Sequence, residues 1–590
     1  MPFTKMRDDF NKENPQKPPK QQEDEPSSMD IEQSVPTVAQ IRGKSDHDID
    51  DDSRYRTSTG CLVTILLAVL GLVIIIVGLV IVDVRGDEEA ASSYASSSTD
   101  LIQKQRFSKV VEYLKVNGIS NQQDLLFDDS SQNRAAKWLA YEDPSQRQVP
   151  SASINDREGY RFMERYIMAV FYFHLRGSNN KWKYSANFLS EDDTCDWYSV
   201  FLTSVGRDTV GVQCNDDGFI AGLYFINVGL SGPLPKEVGK LNTLQVLELD
   251  GNSISGSIPN ELQSLTNLEN FHMSHNYLRG SLPSFLVSLP KLISLDVSFN
   301  EMNGLLPSGL ATMTRLMGLA LDHNYFSGTI PTATIGLKYL RHLFLEHNLL
   351  TGNIDESWLL GLPEVIMLDL SDNKLEGTLP NNLFDDTTNL RVLDLHDNHF
   401  EGTIPHALPN STVLEYLSLQ KNALTGELPE SISNLRKLSH LDVSSNQLTG
   451  YKGQSDSEMR FGLPAMTNLT YLFLAENHFA PAPVPTWLAQ MTQLEELSLK
   501  SLSLEGDLPA VFGNMSNLIL LDLDNNGLTG PLPVELGNLN KLQFMLLNRN
   551  GFTGGIPPAI TNLPLLRKEQ CVRWILDSLL PTRLFISHSF

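Results

Sequence analysis

The stretch Leu244–Asn267, LQVLELDGNSISGSIPNELQSLTN, carries the pattern that decides the fold. The same 24-residue pattern, LxxLxLxxNxLxGxIPxxLxxLxx, recurs in Leu518–Lys541, LILLDLDNNGLTGPLPVELGNLNK. We count 14 copies between residues 220 and 565. The copies, numbered 1 to 14 below, begin at Ile220, Leu244, Leu268, Leu292, Leu316, Leu340, Val365, Leu390, Leu414, Leu438, Leu469, Leu494, Leu518 and Leu542. This periodicity predicts a solenoid, because one copy cannot bury its apolar side until neighbours stack on it.

The spacing within each copy predicts its local structure. LxxLxL places leucines on one side of a short strand and turns the residues at positions 2, 3, 5, 7 and 8 outward, so we expect an α/β solenoid with short parallel strands on its concave face. The ninth position is Asn in 12 of the 14 copies and is Val228 and Leu502 in the other two. Each buried amide has to bond the backbone or cost about 1–3 kcal/mol, so we predict a stacked Asn ladder.

A second feature is a 22-residue uncharged stretch at 61–82, CLVTILLAVLGLVIIIVGLVIV. As a helix it is about 33 Å long, which matches a bilayer core of about 30 Å. Four basic residues precede it within about 20 residues, and Arg85 alone follows it, so we predict a signal anchor with a cytoplasmic N-terminus. The four basic residues are Arg42, Lys44, Arg54 and Arg56.

The segments around this span differ in composition. Residues 1–60 are polar and are predicted to be a disordered cytoplasmic tail. The acidic and Ser/Ala-rich segment 83–100 is predicted to be a flexible stalk, and helical spacing in 101–219 predicts a small helical N-terminal cap. Residues 220–565 hold the repeats, and 566–590 form an atypical C-terminal tail, which is interpreted as an unusual cap or an imperfect gene model.

The LxGxIP form of the repeat resembles the plant-type leucine-rich repeats of receptor-like kinases, receptor-like proteins and polygalacturonase-inhibiting proteins. The resemblance implies a right-handed superhelix. Cys195-Asp-Trp197 followed by Gly211-Val-Gln-Cys214 resembles the capping motif CxWxGVxC of that family, with Tyr198 to Val210 inserted. It implies a disulfide between Cys195 and Cys214, the alternative being two buried thiols. RAAKWLAYEDP (134–144) and ERYIMAVFYF (164–173) look similar to membrane-anchored relatives in stramenopile algae, including diatoms.

Composition and missing motifs exclude several classes of function. The 70 acidic against 45 basic residues give a net charge of −25, which argues against a nucleic-acid-binding surface. Gly-rich phosphate loops, HExxH, GxSxG and kinase motifs are absent from the sequence, so we expect no enzyme activity, no catalytic residue and no cofactor. We predict no metal site either, because imidazoles on adjacent strands bind a metal only if they converge.

The candidate ligand-binding residues come from the outward positions of successive repeats. His275, Phe299, His323, Phe344 and His347 are predicted to form one contiguous outward patch, since equivalent residues on stacked strands lie about 4.8 Å apart. Aromatic rings contribute contact area, and imidazoles orient a ligand. The alternative is that these positions are solvated strand surface.

These features predict a single-pass membrane protein, located in the plasma membrane, whose repeats bind an extracellular peptide, glycan or protein. Signalling would need a co-receptor, because no kinase follows the repeats. The alternative is a structural or adhesion protein, or an inhibitor of cell-wall-degrading enzymes, and an inhibitor would need no cytoplasmic tail. With the repeats outside the cytoplasm, the sequons at Asn410, Asn468 and Asn514 are predicted to carry glycan.

Overall fold

The protein is described as a computed structural model. It divides into two compact units, residues 1–106 and 107–590. The described part of the chain covers 101–567 except 152–155, 177–181, 184–185, 204–205, 332–335, 355–357, 359–360, 382, 384–388, 407–412 and 452–465. The predicted tail (1–60), membrane span (61–82) and stalk (83–100) lie outside these residues. Among those described, no helix is both long and apolar enough to cross a bilayer.

The concave side of the solenoid is a parallel sheet with one strand from each repeat. In the described part of the chain this sheet has 16 strands, including two antiparallel strands at its N-terminal edge. Most repeat strands are three residues long and cover positions 3 to 5 only, so positions 7 and 8 lie beyond the strand. The repeat strands are Ile220–Tyr224, Val246–Glu248, Asn270–His272, Ser294–Asp296, Gly318–Ala320, His342–Phe344, Met367–Asp369, Val392–Asp394, Tyr416–Ser418, His440–Asp442, Tyr471–Phe473, Glu496–Ser498, Leu520–Asp522 and Phe544–Leu546.

The core consists of the repeat leucines, stacked from turn to turn. Leu247, Leu319, Leu368 and Leu521, all at position 4, are at most 2% exposed. Burial of one such side chain contributes about 1.5–3 kcal/mol. The parallel strands are therefore stabilised by contacts that only neighbouring repeats can supply.

The Asn ladder is present as predicted. Asn373 Nδ2 donates to the carbonyl oxygens of Leu345 (2.9 Å), Leu370 (3.2 Å) and Ser371 (3.0 Å). Its Oδ1 accepts from Leu350 N at 3.0 Å. Each amide thus bonds its own repeat and the preceding one.

The two repeats without Asn use the amide of the next repeat. Val228 N donates to Asn252 Oδ1 at 3.1 Å, and Leu502 N donates to Asn526 Oδ1 at 3.0 Å. An apolar residue at this position is therefore tolerated where the following Asn bonds the extra backbone N–H.

A second parallel sheet runs along the flank, where Gly-x-Ile/Leu-Pro follows most concave strands. It has ten strands and is followed by a separate sheet of three in the described residues. The break falls between Gln447–Tyr451 and Ala482–Pro483, where the sequence extends repeat 10 and shifts the Pro of repeat 11. The ten strands are Ser231–Pro233, Ser253–Gly256, Tyr277–Gly280, Glu301–Leu305, Tyr325–Thr329, Leu349–Gly352, Lys374–Thr378, His399–Thr403, Ala423–Leu428 and Gln447–Tyr451, and the three are Ala482–Pro483, Leu504–Asp507 and Gly527–Thr529.

The convex side carries short 3₁₀ turns, which begin directly after the repeat proline in most repeats. The turns are Lys236–Lys240, Asn260–Ser264, Leu286–Ser288, Ser308–Thr312, Glu430–Asn434, Thr486–Gln490, Ala510–Asn514 and Val534–Asn538, with a short α-helix at Pro558–Thr561. Arg567 N donates to Gln543 O at 2.9 Å, the same bond that Gln543 N makes to Ile519 O. The repeat register thus continues to Arg567, the last described residue.

The segment before the repeats is mixed rather than helical only. A β-hairpin follows its helices, and its second strand, Gly206–Cys214, pairs antiparallel with the first repeat strand, Ile220–Tyr224. The hairpin contains the residues that are inserted in the capping motif. Helical spacing in the sequence could not show that these residues form strands or that they pair with repeat 1. The helices are α1 (101–116), α2 (Gln122–Leu126), α3 (Ser131–Lys137, continued by a π turn at Trp138–Glu142) and α4 (Arg157–His174), and the strands are β1 (Tyr198–Thr203) and β2 (Gly206–Cys214).

A disulfide and a buried carboxyl join this segment to repeat 1. The Cys195–Cys214 disulfide is present, with Cα atoms 5.5 Å apart, and it links the turn Thr194–Asp196 to the end of β2. Glu164 of α4 is 2% exposed, and its Oε1 accepts from Ile220 N at 2.7 Å. Burial raises the pKa of Glu164 to about 8.

Candidate ligand-binding surface

Position 8 of every repeat has a left-handed backbone. The φ of this residue lies between 49° and 67° in all 14 repeats, from Asn227 and Gly251 to Asn525 and Arg549. This turn leads the chain out of the concave strand and towards the ladder Asn at position 9. The expectation that position 8 lies on the strand is therefore wrong, and its side chains line the edge of the concave sheet.

Four of the five predicted binding residues occupy this turn in repeats 3 to 6. His275, Phe299, His323 and His347 stack in sequence, with ring centroids 4.2, 3.9 and 4.6 Å apart and planes within 17° of parallel. We call these four residues the ring row. His275 and His347 are exposed, and the two central rings are partly buried.

Phe344, the fifth predicted residue, is fully buried and does not join the ring row. It lies at position 5, in the middle of the concave sheet, in register with Ala320 and Asp369. Strands about 4.8 Å apart bring such side chains against one another, so outward orientation does not ensure exposure.

Charged groups continue the edge beyond the ring row. His347 Nδ1 lies 3.1 Å from Asp372 Oδ2, and Lys421 Nζ donates to Asp397 Oδ2 at 2.9 Å. His396 bridges towards Asp372, with Nε2 3.5 Å from its Oδ2.

Two acids control the charge of His396. Its Nδ1 lies 2.7 Å from Asp394 Oδ1. Burial alone would lower the pKa of His396, but the carboxylates of Asp394 and Asp372 outweigh burial and raise it to about 9. This imidazole is therefore a cation at neutral pH.

The structure reveals a second row of rings that sequence reasoning missed. Tyr416, His440 and Tyr471 lie in register at position 3 of repeats 9 to 11. Their centroids are 4.3 and 5.4 Å apart, and Phe473 meets His440 edge-on at 6.0 Å. We call these four residues the strand cluster. Comparison of position 3 across repeats would have found three successive rings there.

A set of possible metal ligands also lies at this edge. One ligand atom each from Asp322, His323 and Glu346 lies within 4.8 Å of the others. Asp322 is 0% and Glu346 6% exposed. The sequence did not predict this convergence, because it depends on the turn at position 8.

The sequons predicted to carry glycan form a separate set of positions. Asn468 and Asn514 are exposed, as a glycan acceptor must be, and Asn410 lies outside the described residues. Neither residue is near the ring row in the repeat order.

Comparison with known proteins agrees with the repeat architecture. One family model described as "Leucine rich repeat" matches residues 314–375, 340–400 and 388–448. A second with the same description matches 243–265, 267–289, 517–539 and 541–563. Over 78 residues the chain is 31% identical to a probable leucine-rich repeat receptor-like protein kinase of Arabidopsis thaliana. The residues matched by the two models are therefore similar to leucine-rich repeats.

The leucine-rich repeats also resemble a solved receptor structure. The crystal structure of a TDR receptor is 34% identical, with a TM-score of 0.54, over 59% of this chain and 58% of that chain. The matched part of the Arabidopsis kinase is 13% of this chain and 7% of the kinase. The chain therefore spans little more than half of the receptor structure and a small part of the kinase.

Proposed function

We propose that this chain is a non-enzymatic, receptor-like recognition protein whose leucine-rich repeats bind an extended peptide segment outside the cell. The ring row carries the proposal, because four stacked rings at one edge of the concave sheet form a preorganised contact surface. A single-pass anchor at 61–82, with the N-terminus in the cytoplasm, would hold the repeats at the plasma membrane. Signalling would then depend on a co-receptor.

The stacking favours a peptide over a sugar. A sugar ring binds best against an open aromatic face, but Phe299 is covered on one side by His275 and on the other by His323. A ligand therefore meets the edge of Phe299, which carries positive partial charge. Peptide carbonyl oxygens fit such edges as acceptors.

The combined span of the ring row and the strand cluster sets the length of the ligand. Repeats 3 and 11 are eight strand spacings apart, which is about 38 Å at 4.8 Å per strand. An extended peptide rises about 3.4 Å per residue, so about 11 residues would span the ring row and the strand cluster together.

The test uses a displayed library of random 12-residue peptides and the purified full-length protein. Selected peptides should bind the wild type, and the Phe299→Ala/His347→Ala double variant should bind them at least tenfold more weakly. Tyr277→Ala is the control, because Tyr277 is 53% exposed on the flank sheet. Peptides that bind all three proteins equally would place the binding surface elsewhere and contradict the proposal.

A further inference from the structure

Repeats 5 and 6 depart from the way in which other repeats hold their acidic residue. In repeat 10, Asp442 at position 5 accepts from the N–H and hydroxyl of Ser444 at position 7, at 2.9 and 2.5 Å. Repeats 4 and 7 have the same Asp–Ser pair. In repeats 5 and 6 position 5 is apolar, and the acid lies at position 7 instead, as Asp322 and Glu346. Two adjacent turns thus place their carboxylates side by side.

An imidazole completes the set of ligands. His323 follows Asp322 in the chain, and its Nδ1 lies 3.1 Å from Asp322 Oδ2. The side chain of His323 is 33% exposed, whereas both carboxyl groups are nearly fully buried. The three groups therefore form a small polar site that is open to solvent on the imidazole side.

The spacing of the ligand atoms suits one metal ion. Two ligand atoms that are each about 2.1 Å from a tetrahedral ion lie about 3.4 Å apart. The atoms of Asp322, His323 and Glu346 lie within 4.8 Å of one another, so side-chain shifts of about 1 Å would close the site.

The ring row fixes the orientation of the imidazole. Phe299 and His347 flank His323, at centroid distances of 3.9 and 4.6 Å. A ligand whose ring is held in this way loses little freedom when it binds a metal. The rings that flank His323 lie at position 8 of the repeat, whereas the two carboxylates lie at position 7. The ring stack and the carboxylate pair are therefore independent features of one site.

We propose that Asp322, His323 and Glu346 bind a single Zn²⁺ ion that links repeats 5 and 6. One imidazole and two carboxylates are suitable zinc ligands, and water would complete the tetrahedral coordination. Ca²⁺ and Mg²⁺ prefer six or more oxygen ligands and are expected to bind more weakly. The ion would offset the charge of two neighbouring carboxylates and would fix the position of His323 in the ring row.

The experiment is a calorimetric titration of tag-free, chelator-treated full-length protein with ZnCl₂. We expect one ion per chain and a higher Tm in its presence. His323→Phe should weaken binding at least tenfold while keeping an aromatic ring in the stack, since Phe299 already occupies the same turn. His275→Phe is the matched control, because it makes the same change in the ring row outside the site, and it should leave the affinity within about twofold.

Asp322→Asn and Glu346→Gln extend the test without a change of shape. Each should weaken Zn²⁺ binding at least tenfold, with an unchanged circular dichroism spectrum. Absence of binding, affinity that survives His323→Phe, or equal losses in His323→Phe and His275→Phe would each overturn the site. The titration contains no peptide, so its failure would leave the proposed peptide binding standing.

Discussion

Phe299 stacks on His323 with ring centroids 3.9 Å apart and ring planes 14° from parallel, and both residues have left-handed backbones, with φ of 52° and 51°. L-residues with bulky side chains rarely adopt this conformation, which costs about 1–2 kcal/mol. Asn525 adopts the same φ region in repeat 13. The turn therefore belongs to the repeat, whereas the aromatic side chains are particular to four repeats. Phe299 thus combines a strained backbone with a ring that stacks on both of its neighbours in the ring row.

The Asn ladder gives the first stability prediction. Asn373→Leu removes donors to three carbonyl groups and the acceptor for Leu350 N, so it should destabilise the repeats by about 1–3 kcal/mol. Urea denaturation followed by circular dichroism measures the loss. Asn303→Leu makes the same change at an exposed flank position and should leave the midpoint nearly unchanged. Equal midpoints for Asn373→Leu and the wild type would count against the ladder.

Buried Glu164 predicts a pH dependence with a defined sign. Its pKa is raised from 4.5 to about 8 by burial, so the folded protein holds this proton where the unfolded chain releases it. Stability from this group is therefore present below pH 4.5 and is lost as the pH rises towards 8, by roughly 5 kcal/mol at most. Glu164→Gln keeps an acceptor for Ile220 N and should raise Tm relative to the wild type increasingly from pH 5 to pH 9.

Glu158→Gln is the control for this experiment, because Glu158 is exposed on the same helix. Its Tm should follow the wild type at every pH. A Tm difference between Glu164→Gln and the wild type that stays constant with pH would show that Glu164 does not titrate in this range.

The proposed orientation predicts glycans on the repeats. Asn468 and Asn514 are exposed, so both sequons are accessible if the repeats enter the secretory lumen. Glycosidase treatment of the expressed full-length protein should lower its mass, and Asn468→Gln and Asn514→Gln should each reduce that shift. A protein without any shift, whose repeats are cut by protease added to the cytosolic side of intact membranes, would reverse the orientation.

Sequence alone predicts those parts of the structure that burial determines. The leucine period establishes the solenoid and the ladder, because a shifted register would expose Leu319 or bury a charge. The burial of Phe344 could not be predicted, since it depends on side chains such as Ala320 on the neighbouring strand. The Zn²⁺ site could not be predicted from the sequence either, because only the left-handed turn brings His323 close to Asp322 and Glu346. Asn227 and Gly251 at the same position were the available indication of that turn.

The left-handed turn also separates two contributions of Phe299 to stability. Phe299→Ala removes the ring but keeps a Cβ at positive φ, whereas Phe299→Gly removes both the ring and the backbone strain. Because the strain is worth about 1–2 kcal/mol, the glycine variant should be the more stable of the two. Tyr277 offers the opposite case. It lies in a flank strand, its φ is not positive, and it is 53% exposed. There Tyr277→Gly should be less stable than Tyr277→Ala, by about 0.5–1 kcal/mol, because glycine weakens a strand. Thermal denaturation of the four variants measures both orders, and an alanine variant that is the more stable of the two at both sites would show that Phe299 is not strained in solution.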